Sequence, residues 1–346
     1  MHYRLLGNTG LYVSELCLGT MTFGGKGFWE PIGKLTASEA EKMIGKSLDA
    51  GINFIDTANA YSEGESEKFL GAALGSLKVP REKVVIATKV RLRMGPGPNQ
   101  TGLSRKHIFE AVDASLGRLK LDFIDLYQIH GVDEVTPIEE TMDALSDIVR
   151  AGKVRYIGFS NLPAWFAMKA IAYAKAARIP SFVSAQMYYS IVSRDIEREI
   201  VPLAKDQNLA ILPWSPLSGG LLSGKFDMEK PGPEGARRTT FDFPPVDKDR
   251  AKKVIAVLRS ISKKMGISPA RLALGWLLTR PFVTSVIIGA KTMQQLEDDL
   301  AATDVQISPE DIAEIEKVSE LPQEYPGWMV HWQDRDRRPE QVKQTD

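Results

Sequence analysis

The sequence predicts a (β/α)8 barrel, because short buried strands alternate with helices along most of its 346 residues. Eight apolar runs begin at residues 17, 53, 84, 123, 155, 182, 209 and 283. Runs such as VVIATK and TSVII are almost continuously apolar, which is typical of parallel strands that are buried on both faces. Strand–helix units that recur mostly every ~30–40 residues match a barrel of this kind.

A doubly wound open sheet is the alternative architecture for this pattern. That fold carries a G-x-G-x-x-G turn after its first strand, and the segment from Met21 to Gly27 does not fit that turn. We therefore predict one barrel domain over residues 1–346, with a polar, mobile tail at 335–346.

The elements begin with a small hairpin at the N-terminus. Two extended runs, Tyr3–Leu6 and Tyr12–Leu16, flank an Asn-Thr-Gly turn. Ser38 and Glu41 form a capping-box pattern that predicts a helix over 38–50. Further helices are predicted near 65–77, 104–119, 138–151, 163–177, 195–207, 248–265, 269–279, 292–302 and 308–319. A Gly- and Pro-rich stretch at 215–247 interrupts the alternation, and the final helix, at 308–319, is predicted to pack outside the repeat as an addition to the barrel.

Composition and charge exclude several classes of protein. Lys+Arg and Asp+Glu are both 44, whereas a nucleic-acid binder shows a basic excess, so no nucleic-acid partner is expected. The single cysteine, Cys17, lies in an apolar run, which favours a buried side chain and leaves no disulfide framework or multi-cysteine metal site. We expect no metal. Neither a signal-peptide pattern nor a membrane-length apolar run is present, so we expect a cytoplasmic protein without a membrane partner.

Three consecutive predicted strands end on ionisable residues. Asp56 ends the second, Lys89 the third and His130 the fourth, and Tyr61 follows Asp56 by five positions. Sites in such barrels lie at the C-terminal ends of the strands, and neighbouring strands are about 4.8 Å apart, so these side chains are expected to meet. An ammonium beside a phenol stabilises the phenolate, so Lys89 can tune Tyr61 for acid–base catalysis. Any one of these residues is more often structural, and the joint pattern carries the prediction of carbonyl reduction.

At these residues the sequence resembles the aldo-keto reductases, and the similarity runs over nearly the whole chain. It is carried by IDTANAY (55–61), IATK (86–89), QIH (128–130), GKVRYIGFSN (152–161), WSPLSGGLLSGK (214–225) and IIGAKTMQQLEDD (287–299). The loops are similar to those of the bacterial and potassium-channel β-subunit branch. The resemblance implies a barrel, a catalytic tetrad of Asp56, Tyr61, Lys89 and His130, and reduction of aldehydes and ketones with NADP(H).

The resemblance also implies which residues bind the cofactor across the barrel mouth. Ser160, Asn161 and Gln186 are expected to hydrogen-bond the nicotinamide amide, and Trp214 to stack on the ring. From the nicotinamide to the adenosine, the implied contacts are Thr20, Met21, Asp56, Ser160, Asn161, Gln186 and Trp214; then Ser215, Pro216, Leu217, Gly219 and Lys225; then Gly289, Lys291, Gln295, Asp298 and Asp299.

The residues expected to bind the adenosine half of the cofactor differ from the usual family residues at one place. Lys291 is the candidate for the 2′-phosphate, supplemented by Arg237 and Arg238. The usual Glu-Asn pair near the adenine is Asp298-Asp299 in this chain, which removes an amide donor. The sequence therefore leaves NAD(H) open as an alternative to NADP(H).

Aromatic residues are predicted to line the substrate pocket, which favours aldehydes or ketones with apolar or ring character. The candidates are Phe23, Phe28, Trp29, Tyr127, Trp328 and Trp332, and half of them are expected to be ordinary packing residues. Two alternatives stay open: a redox-sensing nucleotide-binding module with a protein partner, as in the channel β-subunits, and an NAD-dependent alcohol or sugar dehydrogenase. The presence of His130 favours the enzyme. The sequence does not name the carbonyl compound or the oligomeric state.

Overall fold

A computed structural model describes residues 1–226 and 237–334. Its strands are β1 Tyr3–Leu5, β2 Tyr12–Ser14, β3 Leu16–Gly19, β4 Phe54–Asp56, β5 Val85–Val90, β6 Ile124–Ile129, β7 Val154–Ser160, β8 Phe182–Tyr188, β9 Ala210–Trp214 and β10 Val286–Ile288. Its helices are α1 Ala37–Asp49, α2 Glu65–Ser76, α3 Arg105–Leu119, α4 Ile138–Arg150, α5 Ala164–Ala177, α6 Ile200–Gln207, α7 Arg237–Thr240, α8 Lys248–Met265, α9 Pro269–Leu278, α10 Met293–Leu300, α11 Pro309–Ser319 and α12 Gly327–Asp334.

The predicted (β/α)8 barrel is confirmed. Eight parallel strands form one sheet in the order β10-β3-β4-β5-β6-β7-β8-β9, with helices between them. A bridge between Ile211 on β9 and Val283, just before β10, brings the two edges of the sheet together. The C-terminal ends of the strands therefore meet at one nearly closed rim, which is where barrel enzymes place their chemistry.

The barrel has two apolar layers because side chains alternate along each strand. Cys17, Phe54 and Leu126 belong to the inner cluster, and Tyr127 belongs to the outer cluster between sheet and helices. The predicted burial of Cys17 is confirmed, and burial, with Asp56 adding to it, raises the pKa of its thiol well above the usual range. The thiol is therefore a core group rather than a nucleophile.

The predicted hairpin is also present. Strands β1 and β2 pair antiparallel, and Leu6 and Val13 join the inner cluster of the barrel. Arg4 donates to the carbonyl oxygens of Val283 and Leu278, at 2.5 and 2.9 Å. These contacts place the hairpin beneath the barrel, at the end opposite the rim.

The structure corrects several predicted helices. The one predicted near 195–207 begins as α6 at Ile200. The capping box of α1 is formed by Thr36 and Glu39, not by Ser38 and Glu41, because Thr36 offers the same spacing two residues earlier. The additional helix α12 follows α11, where no helix was predicted. The predicted mobile tail at 335–346 lies outside the described residues. Within the described ranges, no helix has the length and apolar character that crossing a membrane requires.

Candidate active site

Three neighbouring strands deliver the predicted ionisable residues to the rim. Asp56 is the last residue of β4, Lys89 lies near the end of β5, and His130 directly follows β6. Tyr61 begins a tight turn in which the next two residues have left-handed backbone, with φ of 50° and 57°. Strain of this kind is typical of functional turns, and here it turns the chain so that the phenol folds back over the rim.

Lys89 joins these groups through all the hydrogen bonds that its ammonium can donate. Its Nζ donates to Asp56 Oδ2 at 2.5 Å, to Thr57 O at 2.8 Å and to Tyr61 Oη at 3.2 Å. Burial of the side chain disfavours its charge, but attraction to Asp56, and then to Tyr61, outweighs burial and raises the pKa of Lys89. The site therefore holds a fixed cation against the phenol oxygen.

Asp56 is held in place from its other side. Its Oδ1 accepts hydrogen bonds from Gln128 Nε2 at 3.0 Å and from Gln186 Nε2 at 2.8 Å. Gln128 was missed by the sequence analysis, although a signal was present. Side chains alternate on β6, so Gln128 points into the barrel, whereas Tyr127 points outward.

His130 lies beside Tyr61, with ring centroids 5.8 Å apart and ring planes at 72°. Burial, followed by the charges of Lys89 and Arg91, holds the pKa of His130 well below its usual range, so the imidazole is neutral near pH 7. Its Nδ1 is buried and has no hydrogen-bond partner among the described residues. A neutral ring keeps one N–H that can donate to a bound molecule.

A cleft of ≈ 1100 Å³ opens from this rim, slightly larger than the ~300–1,000 Å³ of ordinary ligand pockets. Tyr61 and His130 line it, and so do all seventeen residues, from Thr20 to Asp299, that were predicted along the cofactor from the nicotinamide to the adenosine. The prediction was made for residues scattered between positions 20 and 299, and the fold collects them along one surface.

The part of the cleft next to Tyr61 combines unpartnered and fixed polar groups. Ser160 Oγ is buried without a partner in the described part of the chain. Asn161, in the left-handed region at φ 56°, accepts a hydrogen bond from Trp214 Nε1 at 2.9 Å. Trp214 also packs against Tyr188 and Phe243, at centroid distances of 5.0 and 6.0 Å. These contacts fix the orientation of the indole.

The loop after β9 curls sharply along the middle of the cleft. Ser215, Ser218 and Gly219 all have left-handed backbone, with φ of 50°, 51° and 67°. Ser215 Oγ accepts from the backbone N–H of Gly219 at 3.0 Å, and a Cβ on Gly219 would lie 2.6 Å from Phe243 O. Loops that alternate hand in this way form concave sites for anions.

The far end of the cleft is built by the segment from β10 to α10. Gln295 Oε1 accepts from the backbone N–H of Lys291 at 2.8 Å, and Lys291 Nζ reaches Pro31 O at 3.4 Å. Arg238 instead donates to Ser218 O, 2.7 Å away, and does not line the cleft. The side chain of Arg237 lies outside the described residues. Arg271, which the sequence analysis missed, lines this end.

The predicted aromatic pocket is correct only in part. Phe28 and Trp29 line the cleft, joined by Phe241 and Phe243, which were not predicted. Four predictions are wrong: Phe23 and Tyr127 are buried in the core, and Trp328 and Trp332 lie exposed on α12, away from the cleft. Tyr127 fails because of strand alternation. The two tryptophans lie on α12, a helix that the sequence did not predict.

A parallel barrel with a buried, charged acid–base group at its rim and a long cleft beside it has the architecture of a barrel enzyme. Residues 15–320 match the sequence profile of the Aldo/keto reductase family. The chain therefore belongs to this family of oxidoreductases, whose members use a nicotinamide nucleotide to reduce carbonyl groups.

Individual relatives agree with this assignment. The chain is 38% identical to the uncharacterized oxidoreductase YrpG of Bacillus subtilis, over 90% of this chain and 93% of the relative. It is 34% identical to versiconal hemiacetal acetate reductase of Aspergillus parasiticus, over 92% and 96% of the two chains. It is also 34% identical to a probable voltage-gated potassium channel subunit beta of Arabidopsis thaliana, over 88% and 92%. The predicted likeness to the bacterial and channel β-subunit branch is confirmed.

Proposed function

We propose that this protein reduces aldehydes and ketones to alcohols with NADP(H), and that Tyr61 donates the proton. The observation that carries the proposal is the Lys89 ammonium held 3.2 Å from Tyr61 Oη at the wall of a dinucleotide-sized cleft. The bound nicotinamide supplies the hydride. The side chains of the rim bind the carbonyl oxygen and donate the proton.

Tyr61 is suited to proton donation by the direction of its hydrogen bonds. Its oxygen accepts from Lys89, so its own proton points away from the ammonium. A cation ~4 Å from the developing phenolate is worth about 4 kcal/mol at an effective dielectric near 20, less what Asp56 cancels. A phenol alone is a weak acid at neutral pH, and this stabilisation brings it toward the range in which general acids work.

His130 is suited to binding the carbonyl oxygen rather than to protonating it. Its low pKa keeps the ring neutral, and it lies beside Tyr61 on the cleft wall. A neutral imidazole that donates a hydrogen bond to the oxygen polarises the carbonyl and points it at the phenol.

The groups next to Tyr61 fit the carboxamide of a nicotinamide. Gln186 Nε2 donates both of its hydrogens, to Asp56 and to Gln128, which leaves Oε1 to accept from the amide. Ser160 Oγ, buried without a partner among the described residues, completes the set. Trp214, whose orientation is fixed by Asn161, offers an aromatic face to the ring.

The remaining cleft fits the rest of a dinucleotide. The curled loop from Ser215 to Gly219, with the exposed Lys225 beyond it, suits a pyrophosphate. Lys291 at the far end supports NADP(H) over NAD(H), because an ammonium favours a 2′-phosphate. The aromatic wall formed by Phe28, Trp29 and Phe241 supports substrates with ring character.

The test is a fluorescence titration with NADPH and NADH, followed by NADPH oxidation against a panel of aromatic and aliphatic aldehydes. We expect tighter binding of NADPH and turnover that is highest for aromatic aldehydes. Tight binding with no turnover of any aldehyde would favour the redox-sensing module. NAD⁺-dependent oxidation of alcohols in the absence of aldehyde reduction would favour the dehydrogenase.

A further inference from the structure

Two adjacent acidic residues at the far end of the cleft have opposite environments. Asp298 is fully engaged: Ser268 donates to Oδ2, and Arg271 donates to Oδ1 through Nε at 3.1 Å and Nη2 at 2.7 Å. Asp299 is more deeply buried than Asp298, with 4% of its surface exposed, and it lines the cleft. Its carboxyl has no hydrogen bond or ion pair with any group in residues 1–226 or 237–334.

No cation near Asp299 offsets its charge within the described structure. The charged groups on the elements around it are Arg271 on α9, paired with Asp298; Lys46 on α1, paired with Glu297; Lys291 before α10; and Asp304 after it. Burial, followed by repulsion from Asp298, raises the pKa of Asp299 to about 8. The carboxyl is therefore mostly protonated at neutral pH.

A protonated carboxyl and a carboxylate present different hydrogen-bonding patterns. The neutral acid has one O–H donor and one carbonyl acceptor side by side, whereas the carboxylate only accepts. Adenine carries an N6–H donor next to the N7 acceptor, the edge that a carboxamide reads with two hydrogen bonds. The neutral acid reproduces the donor–acceptor pattern of the carboxamide, and the carboxylate cannot.

We propose that Asp299 recognises the adenine of the bound dinucleotide as a neutral carboxylic acid, donating to a ring nitrogen and accepting from the exocyclic amine. Binding of the nucleotide then requires the proton, and at alkaline pH it takes one up from solution. This inference rests on the proposed function, because it needs a dinucleotide whose adenosine half lies against α10.

Linkage gives the size of the effect. The dissociation constant is flat below the pKa of the free carboxyl and rises by up to tenfold for each pH unit above it. With that pKa at about 8, the nucleotide binds about tenfold more weakly at pH 9 than at pH 7. The 2′-phosphate of NADPH titrates near pH ~6 and stays out of this window.

The experiment measures the dissociation constants of NADPH and NADH between pH 6.5 and 9.5, together with proton uptake at pH 8.5 by calorimetry in two buffers of different ionisation enthalpy. The parent protein is compared with Asp299→Asn, which keeps the donor at every pH. Asp304→Asn is the matched control, because it makes the same chemical change at an exposed position just beyond α10.

For the parent and the control, nucleotide binding is expected to weaken about tenfold between pH 7 and pH 9, with uptake of about 0.8 proton per nucleotide bound at pH 8.5. Asp299→Asn is expected to stay within about threefold over the same range, with no uptake. Two results overturn the role of Asp299 and leave the proposed function standing. The first is a parent that binds tightly with a dissociation constant that does not change with pH. The second is a pH dependence in Asp299→Asn as steep as that of the parent. Failure of the parent to bind either nucleotide at pH 7 refutes the proposed function, and the assignment with it.

Discussion

The two ends of the cleft bury ionisable groups equally deeply and leave them in opposite charge states. At one end Lys89, with none of its surface exposed, stays charged because Asp56 lies 2.5 Å away. At the other end Asp299 is driven toward its neutral form by burial and then by repulsion from Asp298, which has the same sign. Burial disfavours charge in both cases, and the sign and geometry of the neighbour decide the outcome. We expect the charged end to carry out carbonyl reduction and the neutral end to recognise the adenine of the nucleotide.

The largest expected effect comes from removing the proton donor at the charged end. Tyr61→Phe should lower kcat for aldehyde reduction by ~10²–10⁴, the usual contribution of a general acid. NADPH binding, followed by fluorescence, should change little, because the phenol ring remains. Turnover within a factor of a few of the parent on several aldehydes would remove Tyr61 from the mechanism.

The buried Asp299 at the neutral end should make the free energy of unfolding depend on pH. The pKa of Asp299 in the folded state, about 8, lies above its ordinary value of 3.8, so its contribution to stability is present at low pH and is lost as pH rises toward 8. Asp299→Asn does not titrate. Its stability relative to the parent should therefore grow by about 1.4 kcal/mol per pH unit between ~4 and ~8 and then level off.

Urea unfolding at pH 6 and pH 9 measures this difference, which we expect to be about 2–3 kcal/mol between the two conditions. Asp304→Asn, at an exposed position, should show no such trend. A pH-independent difference for Asp299→Asn would mean that Asp299 is ionised in the folded protein.

Gln128 provides a smaller test of how the charged end is held together. Gln128→Met preserves the side-chain length but removes one of the two amide donors to Asp56 Oδ1. Loss of a buried hydrogen bond to a charged group should cost ~1–3 kcal/mol in urea unfolding. Gln323→Met, at an exposed position, is the control. An unchanged unfolding midpoint in Gln128→Met would show that Gln186 alone suffices.

The sequence predicted the barrel and the rim residues because both follow from local patterns. Asp56, Lys89 and His130 end apolar runs, and parallel strands carry such ends to one edge. Gln128 was within reach of the same reasoning, since alternation along β6 separates it from the outward-facing Tyr127.

Other features depend on packing between distant segments and have no local signal. Ser268 and Arg271 hold Asp298 across the contact between α9 and α10, and these contacts distinguish the engaged Asp298 from the open Asp299. Phe241 and Phe243 reach the cleft from a Gly- and Pro-rich stretch whose path a sequence pattern does not specify.

The smallest expected effect concerns His130. Its folded-state pKa lies well below the usual 6.5, so unfolded chains take up a proton near pH 6.5 that the folded protein does not. Stability should fall as pH decreases below ~6.5, by at most about 1.4 kcal/mol per unit. Ring ¹⁵N shifts measured at pH 6 should show a neutral imidazole at position 130, and an imidazolium signal there would contradict the assigned role.

The central claim is that the Lys89 ammonium stabilises the Tyr61 phenolate, and the titration of Tyr61 itself tests it most directly. ¹³C NMR of ring-labelled tyrosine can follow that ionisation in the parent and in Asp56→Asn/Lys89→Met, a double variant that leaves no unpaired buried charge. We predict that Tyr61 titrates at least ~1 pH unit higher in the double variant than in the parent. Titration at the same pH in both proteins would contradict the account.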